Sequence, residues 1–141
     1  MKNNTENTEA VETTGTPAKR TYGMEENLKK ALTELLLLQL FSEEEHYIGE
    51  LSDMLEERSH GALRIVFPYA AIYRMTEAGH LMEIKRRIAP DGRRRQYYAI
   101  TDQGQAHLEK LLDTYLRCIR GVNDILASAP KESVLPLGSD E

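Results

Sequence analysis

The chain has 141 residues, of which 40% are hydrophobic and 29% charged, and its formal net charge is -5. These proportions are typical of a globular domain and exclude both a wholly disordered chain and a membrane protein. A single cysteine excludes an intrachain disulfide and, with no apolar run long enough for a signal peptide or a membrane span, predicts a cytoplasmic protein.

Both ends of the chain have compositions typical of flexible tails. Residues 1–27 are rich in Asn, Thr and Glu, and residues 129–141 contain two prolines without any apolar periodicity. We therefore predict a folded domain at residues 28–101, followed by one long helix at residues 102–128.

The first two predicted helices follow the N-terminal tail. The segment "LKKALTELLLLQLF", from Leu28 to Phe41, consists of strong helix formers and is apolar over most of its circumference, which predicts a buried helix. Ser42 and Glu45 have the spacing of a capping box and predict the start of a second helix. Its apolar face would consist of Ile48, Leu51 and Leu55.

A third helix is predicted from Pro68, a residue favoured in the first helical turn, to Gly79, which would end it. Its buried side would consist of Ala71, Ile72 and Met75. Its other side presents Tyr69, Tyr73 and Arg74.

Two extended runs follow Gly79 and are separated by the turn-forming sequence "APDG", which predicts a β-hairpin. In the first run, the apolar residues Met82, Ile84 and Ile88 alternate with Glu83, Lys85 and Arg87. The second run leaves the turn with Arg93, Arg94 and Arg95 and contains Tyr97 and Tyr98, which we expect in the core and on the flank of the hairpin. Thr101 would then cap the long helix.

The hairpin is also the most basic part of the chain. Residues 81–100 contain six cationic and two anionic side chains, whereas residues 28–58 contain three cationic and eight anionic ones. A local basic patch on an acidic chain favours one docking face for a polyanion. Three helices followed by a basic hairpin is the order of a winged helix-turn-helix, in which the third helix enters the DNA major groove and the hairpin, the wing, contacts the backbone.

We therefore predict a mainly α fold with a small β-hairpin, a winged helix-turn-helix, that binds double-stranded DNA. The predicted DNA contacts are Tyr69, Tyr73 and Arg74 on the third helix and Lys85, Arg87, Arg93, Arg94 and Arg95 on the wing. One alternative is that the hairpin is a solvated edge whose cations only prevent strand pairing. Another is a protein-interaction module that uses the hairpin and the long helix without DNA.

The long helix predicts a homodimer. Apolar residues recur in it at spacings of four and three, and about 26 residues would extend about 39 Å, farther than a domain of this size can cover. We expect the first helix to take part in the same interface. The proposed interface residues are Leu108, Leu112, Tyr115, Ile119, Val122 and Leu126, and a gap between the chains for a small apolar effector would be lined by Phe41, Tyr115 and Cys118.

Three segments of the chain resemble the PadR-like transcriptional regulators. They are "LTELLLLQLFSEEEHYIGELSDMLEE" in the first two helices, "YAAIYRMTEAGHL" in the third, and "GRRRQYYAITDQGQAHLEKLL" in the wing and the start of the long helix. The resemblance covers residues 28–126 and implies a dimeric winged-helix repressor, often induced by a small apolar or aromatic compound held near the dimer interface.

No signature of an enzyme, a metal site or a cofactor site was found in the sequence. It has no Gly-rich phosphate loop, nucleophile elbow or His-Glu-x-x-His motif, and its four histidines are scattered. One cysteine is too few for a thiolate metal site. We therefore expect a protein that is not an enzyme and that needs no metal or cofactor.

Overall fold

The computed structural model describes residues 23–65 and 68–128. The predicted tails lie almost entirely outside this range. The chain divides into two units, residues 1–31 and residues 32–141. Of the first unit, the described part contains the opening turns of a helix, in which Lys29 forms an ion pair with Glu25 at 3.2 Å.

Helix α1, Met24–Glu43, begins four residues before the predicted start and continues through Ser42. The capping box predicted at Ser42 and Glu45 is therefore wrong. The Ser42 hydroxyl instead donates a hydrogen bond to the Gln39 carbonyl at 2.7 Å, inside the last turn of α1. The second helix has to start later because a short strand intervenes.

That strand, β1, is His46–Tyr47, and it leads through a 3₁₀ turn at Ile48–Glu50 into helix α2, Leu51–Arg58. Glu50 joins these pieces, because its carboxylate accepts from the backbone N–H of Tyr47 at 3.4 Å and lies 2.9 Å from Nδ1 of His46. Leu51 and Leu55 are buried as predicted.

Helix α3, Tyr69–Glu77, is confirmed: Ala71, Ile72 and Met75 are its buried residues. Gly79 follows with a φ of +83°, a conformation that favours glycine, so the helix ends where the sequence predicted.

The wing is built from two separate antiparallel ladders. Strand β5, Tyr97–Ile100, lies between β1 and strand β2, Leu81–Glu83, and pairs Leu81 with Ile100. Nearer the tip, strand β3, Arg87–Ile88, pairs with strand β4, Arg94–Arg95. Between the ladders, the Gln96 side-chain amide donates to the carbonyl oxygens of Ile84 and Tyr97.

This interruption overturns part of the predicted alternation. Within β2, Leu81 rather than Met82 is buried, so the phase of the alternation is shifted by one residue. Beyond the break, Ile88 is exposed and Ala89 buried, because the period of two does not carry across from one ladder to the other. Tyr97 is buried and Tyr98 half-buried, as predicted. The "APDG" turn is confirmed by a hydrogen bond from the Gly92 N–H to the Ala89 carbonyl at 2.8 Å, with Gly92 at a φ of +85°.

Helix α4, Asp102–Ala127, is confirmed with Thr101 as its N-cap. The Thr101 hydroxyl accepts from the Gly104 N–H at 2.9 Å and donates to the Gly79 carbonyl at 2.6 Å, which ties the start of α4 to the end of α3. Gly104 makes the close approach feasible, since a Cβ there would lie 2.1 Å from the His80 carbonyl oxygen.

The second unit has one hydrophobic core, whose members range in sequence from Leu35 to Leu108. Its fully buried side chains include Leu37, Leu38, Leu51, Ile72, Met75 and Leu81. Three helices, a three-stranded sheet with an extended tip and a long C-terminal helix form a winged helix-turn-helix with an appended helix. Across the described residues, no helix is both long and apolar enough to cross a bilayer.

Candidate nucleic-acid interface

Helix α3 presents an aromatic and cationic surface to solvent. Tyr69 is 57% exposed and Tyr73 67% exposed, although both lie on a helix whose other side is buried. Arg74 is exposed beside them, and its Nε lies 3.5 Å from a Glu34 carboxylate oxygen on α1. The predicted groove-contacting residues of this helix are therefore accessible, which α3 requires if it enters the major groove.

Two of the predicted wing arginines have partners within the protein. Arg87 pairs with Glu45 at 2.9 Å and lies 3.9 Å above the Tyr97 ring centroid. Arg95 pairs with Asp91 and lies 5.1 Å from the Tyr47 ring centroid. The Arg95 side chain is the main cause that lowers the pKa of the Asp91 carboxyl, followed by the backbone N–H of Arg93. These two arginines brace the wing as well as contributing charge.

The remaining wing cations are exposed and form no ion pair with any described residue. They are Lys85, Arg86, Arg93 and Arg94. Arg86 was missing from the sequence prediction because the assumed alternation placed it on the apolar face, with Met82, Ile84 and Ile88. Cations without carboxylate partners are the ones most readily available to phosphates, where they release counterions on binding.

A cleft of about 150 Å³ connects α3 to the wing. Its walls include Tyr69 at the start of α3, Arg95 and Gln96 of the wing, and Tyr47 of β1. Burial is the main cause that raises the pKa of Tyr47, so this phenol stays protonated near neutral pH and can donate a hydrogen bond to an acceptor such as a phosphate oxygen. The cleft shows that the predicted groove helix and the predicted backbone-contacting hairpin are neighbours.

Helix α4 has a second exposed surface, made of aliphatic side chains. We call it the aliphatic strip, and its members are Leu112, Leu116, Ile119, Val122, Ile125 and Leu126, each between 37% and 71% exposed. Leu108, predicted in the same interface, is 4% exposed and belongs to the chain's own core, against which Tyr115 also packs. The first exposed member of the strip, Leu112, lies one turn after the buried Leu108.

The three residues of the proposed effector gap differ in their exposure within one chain. Phe41 is 2% exposed in the core, where its ring meets the His46 ring edge-on at 5.5 Å. Tyr115 is half-buried and Cys118 is exposed on α4. Among residues 23–65 and 68–128, no three His, Cys, Asp or Glu side chains are arranged to hold a metal ion.

Comparison with known proteins assigns this arrangement to a family. Residues 37–110 match the sequence profile of the transcriptional regulator PadR-like family, which is more than half of the 141 residues. The chain belongs to this family. PadR-like proteins are non-enzymatic DNA-binding regulators, so the chain is a DNA-binding transcriptional regulator, and a role as a protein-interaction module without DNA is disfavoured.

Solved structures agree with the winged-helix fold. A PadR-like transcriptional regulator from Bacillus cereus strain ATCC 14579 has a TM-score of 0.63 at 26% identity, covering 73% of this chain and 99% of that one. A Streptococcus transcriptional regulator has a TM-score of 0.61 at 20% identity, over 70% and 95% of the two chains. A PadR family regulator from Clostridium difficile R20291 has a TM-score of 0.58 at 20% identity, over 67% and 98%. No curated protein matches the chain.

Proposed function

We propose that the chain is a homodimeric transcriptional repressor that reads its operator with α3 and holds the DNA backbone with the wing. The observation that carries this proposal is the cleft between Tyr69 and Arg95, because it places the exposed face of α3 beside the cationic hairpin. A duplex that receives α3 in its major groove would then meet the wing on the adjacent backbone.

The aliphatic strip supports the dimer. Six large aliphatic side chains exposed along one helix form a surface that monomeric proteins rarely leave in water. A second α4 has the complementary surface, and a two-fold axis between the helices would present two copies of α3 to two half-sites about one DNA turn apart.

We also propose that a small apolar or aromatic effector releases the DNA by binding between the α4 helices, near Tyr115 and Cys118. Phe41 is enclosed by the core and is no longer part of this proposal. An effector acts only through its difference in affinity for the DNA-bound and free shapes, so it must change the angle between the α4 helices. Aromatic compounds that raise the melting temperature should also weaken operator binding. Hits that stabilise the protein and leave operator affinity unchanged would overturn the effector proposal alone.

The DNA-binding proposal is tested by measuring the affinity of the full chain for genomic fragments and random duplex at several salt concentrations. The double variant Arg93→Ala and Arg94→Ala should weaken binding to all duplexes and flatten the slope of log K against log salt by about 1.8 per chain, because each phosphate contact contributes about 0.9. Addition of the protein should lower transcription in vitro from a promoter that carries a selected fragment.

The matched control changes Lys110 and Arg120 to Ala. Both are exposed on α4, so this double variant removes the same charge from a surface that we do not assign to DNA. If the two double variants weaken binding equally, the wing is not the DNA-contacting surface. If the unmodified chain shows no salt-dependent binding to any duplex, the proposed function fails.

A further inference from the structure

The Glu34 carboxylate lies between two other helices. One of its oxygens is 3.5 Å from Nε of Arg74 on α3, and the other is 3.9 Å from Nε2 of His107 on α4. The Glu34 side chain is 34% exposed and that of Arg74 is 59% exposed, so water and other anions have access to the pair. Glu34 is thus in contact with both the helix proposed to read DNA and the helix proposed to form the dimer.

Arg74 is the only cationic residue of α3. A phosphate or base edge that approaches this helix therefore has one guanidinium to bind there, and Glu34 competes for it. Exposed ion pairs contribute little to stability, so DNA can displace the carboxylate, but each displacement makes binding less favourable by the energy of the lost ion pair.

The other partner of Glu34 is held in place by its surroundings. The His107 ring stacks on the His80 ring with centroids 4.1 Å apart and planes 14° apart. The backbone of His80 is itself held at the end of α3. Its backbone N–H donates to the Met75 carbonyl at 2.8 Å, and its backbone carbonyl accepts from the Thr101 N–H at 3.0 Å. Burial is the main cause that lowers the pKa of His80, with the neighbouring His107 second, so the inner ring of the stack stays neutral near neutral pH.

We infer that Glu34 is a positioning residue that limits how far Arg74 is available to DNA, and that its contact with His107 makes this availability depend on α4. The inference rests on the proposed function. One carboxylate then links the recognition helix to the dimerisation helix. Arg74 can exchange its contact with Glu34 for a contact with DNA, and His107 can exchange its contact for one with solvent.

A double-mutant cycle tests the first contact. Glu34→Gln should raise affinity for the operator about two- to fivefold at low salt, the range that an exposed ion pair allows, and should raise affinity for random duplex less. In the Arg74→Ala background, Glu34→Gln should have no effect, because the guanidinium for which Glu34 and DNA compete is absent. Retention of the full effect in that background would overturn the inference.

Asp113→Asn is the matched control. Asp113 pairs with Arg117 at 3.0 Å on the exposed surface of α4, so this change also removes one carboxylate from an arginine and alters net charge equally. It should leave DNA affinity nearly unchanged. Equal gains from Glu34→Gln and Asp113→Asn would mean that only overall charge matters, and the inference would fall while the proposed function stood.

The second contact is tested with His107→Phe, which keeps an aromatic ring on His80 and removes the nitrogen that faces Glu34. Glu34 then has Arg74 as its remaining partner of the two, and DNA affinity should fall by up to about twofold. The same variant in the Glu34→Gln background should change nothing. An equal fall in both backgrounds would show that His107 acts without Glu34. Absence of DNA binding by the unmodified chain would defeat the proposed function instead.

Discussion

Helices α3 and α4 both expose large side chains, but the two surfaces differ in chemistry. Tyr69 and Tyr73 on α3 each carry a hydroxyl at the end of the ring, and Arg74 lies beside them. The aliphatic strip of α4 has no polar atom in its six side chains. Side chains with a hydrogen-bonding tip suit base edges and phosphates, whereas purely aliphatic ones suit another protein surface.

Exposure of apolar area does not by itself identify the partner that a surface binds. What distinguishes the two surfaces is how the rest of the chain surrounds them. The α3 surface is bordered by wing cations through the cleft at Arg95, while the strip begins where α4 leaves the domain core after Leu108. If the strip and the α3 surface serve different partners, each should be damaged by a different kind of substitution.

The largest effect is expected from a charge in the strip. Leu116→Asp should raise the dimer dissociation constant by about a thousandfold or more, because each dimer would bury two unpaired carboxylates at several kcal/mol each. Thr114→Asp, exposed on the polar side of the same helix, should leave the dimer intact. Sedimentation velocity measures both, and a Leu116→Asp protein that remains dimeric would break the assignment of the strip to a second chain.

The next effect concerns the point where α4 is anchored. Gly104→Ala should lower the free energy of unfolding by about 3 kcal/mol, since the new methyl group would lie 2.1 Å from the His80 carbonyl oxygen, a backbone atom. Gly121→Ala on the same helix meets no atom within 4 Å and should raise it by up to about 1 kcal/mol. Urea unfolding of both variants gives the values, and equal stabilities would mean that α4 does not approach His80 this closely.

A smaller effect separates reading from holding. Tyr73→Ala, or Arg74→Ala, should lower the ratio of operator to random binding about tenfold, because a lost base contact is worth about 1 to 3 kcal/mol. Arg94→Ala should weaken both kinds of binding alike, since phosphate contacts carry no sequence information. Competition binding with operator and random duplex measures this ratio. Loss of sequence preference in the wing variant alone would show that the two roles have been exchanged.

The smallest effect is expected at the connection between helices α1 and α2. Both helices contribute side chains to the same hydrophobic core as α3. A hydrogen bond from Arg58 is the main cause that lowers the pKa of Glu43 to about 2. This stabilisation is complete above a pH of about 4.5 and is lost as the pH falls towards 2. Because the pair is exposed, Arg58→Ala should lower the free energy of unfolding only slightly at pH 7, and the two proteins should become equally stable as the pH falls towards 2. A gap that persists at pH 2 would contradict the electrostatic explanation.

Much of the fold was predictable because its signals are local. Pro68 and Gly79 bound α3, and Thr101 caps α4, each within a few residues of the element it defines. Strand β1 was missed because its two residues pair with Tyr97 and Tyr98, about fifty positions later, and nothing nearby marks them. Ser42 had a capping spacing, but α1 simply continues through it.

The sequence predicted which segment of the site is cationic, but it did not predict which residues of the protein those cations contact. Sequence alone identified the cationic hairpin, but it could not show that Arg87 pairs with Glu45 or that Arg95 lies above the Tyr47 ring, because both partners come from the distant segment before α2. The contact between Glu34 and Arg74 was hidden for the same reason. Tertiary packing, rather than composition, divides the wing cations into braced and unpaired ones.

The break between the two ladders of the wing has a consequence for how such a protein can change its target. Because the β3 and β4 pairs are separate from the sheet that packs on the core, the tip can be lengthened, shortened or recharged without shifting the register of Leu81 against Ile100. Lys85 and Arg86 lie in the break itself, outside the residues that pair in either ladder. We therefore expect the tip to be the part of the hairpin that varies most readily, and variation there would let one scaffold adapt to duplexes of different groove width while the core sheet remained the same.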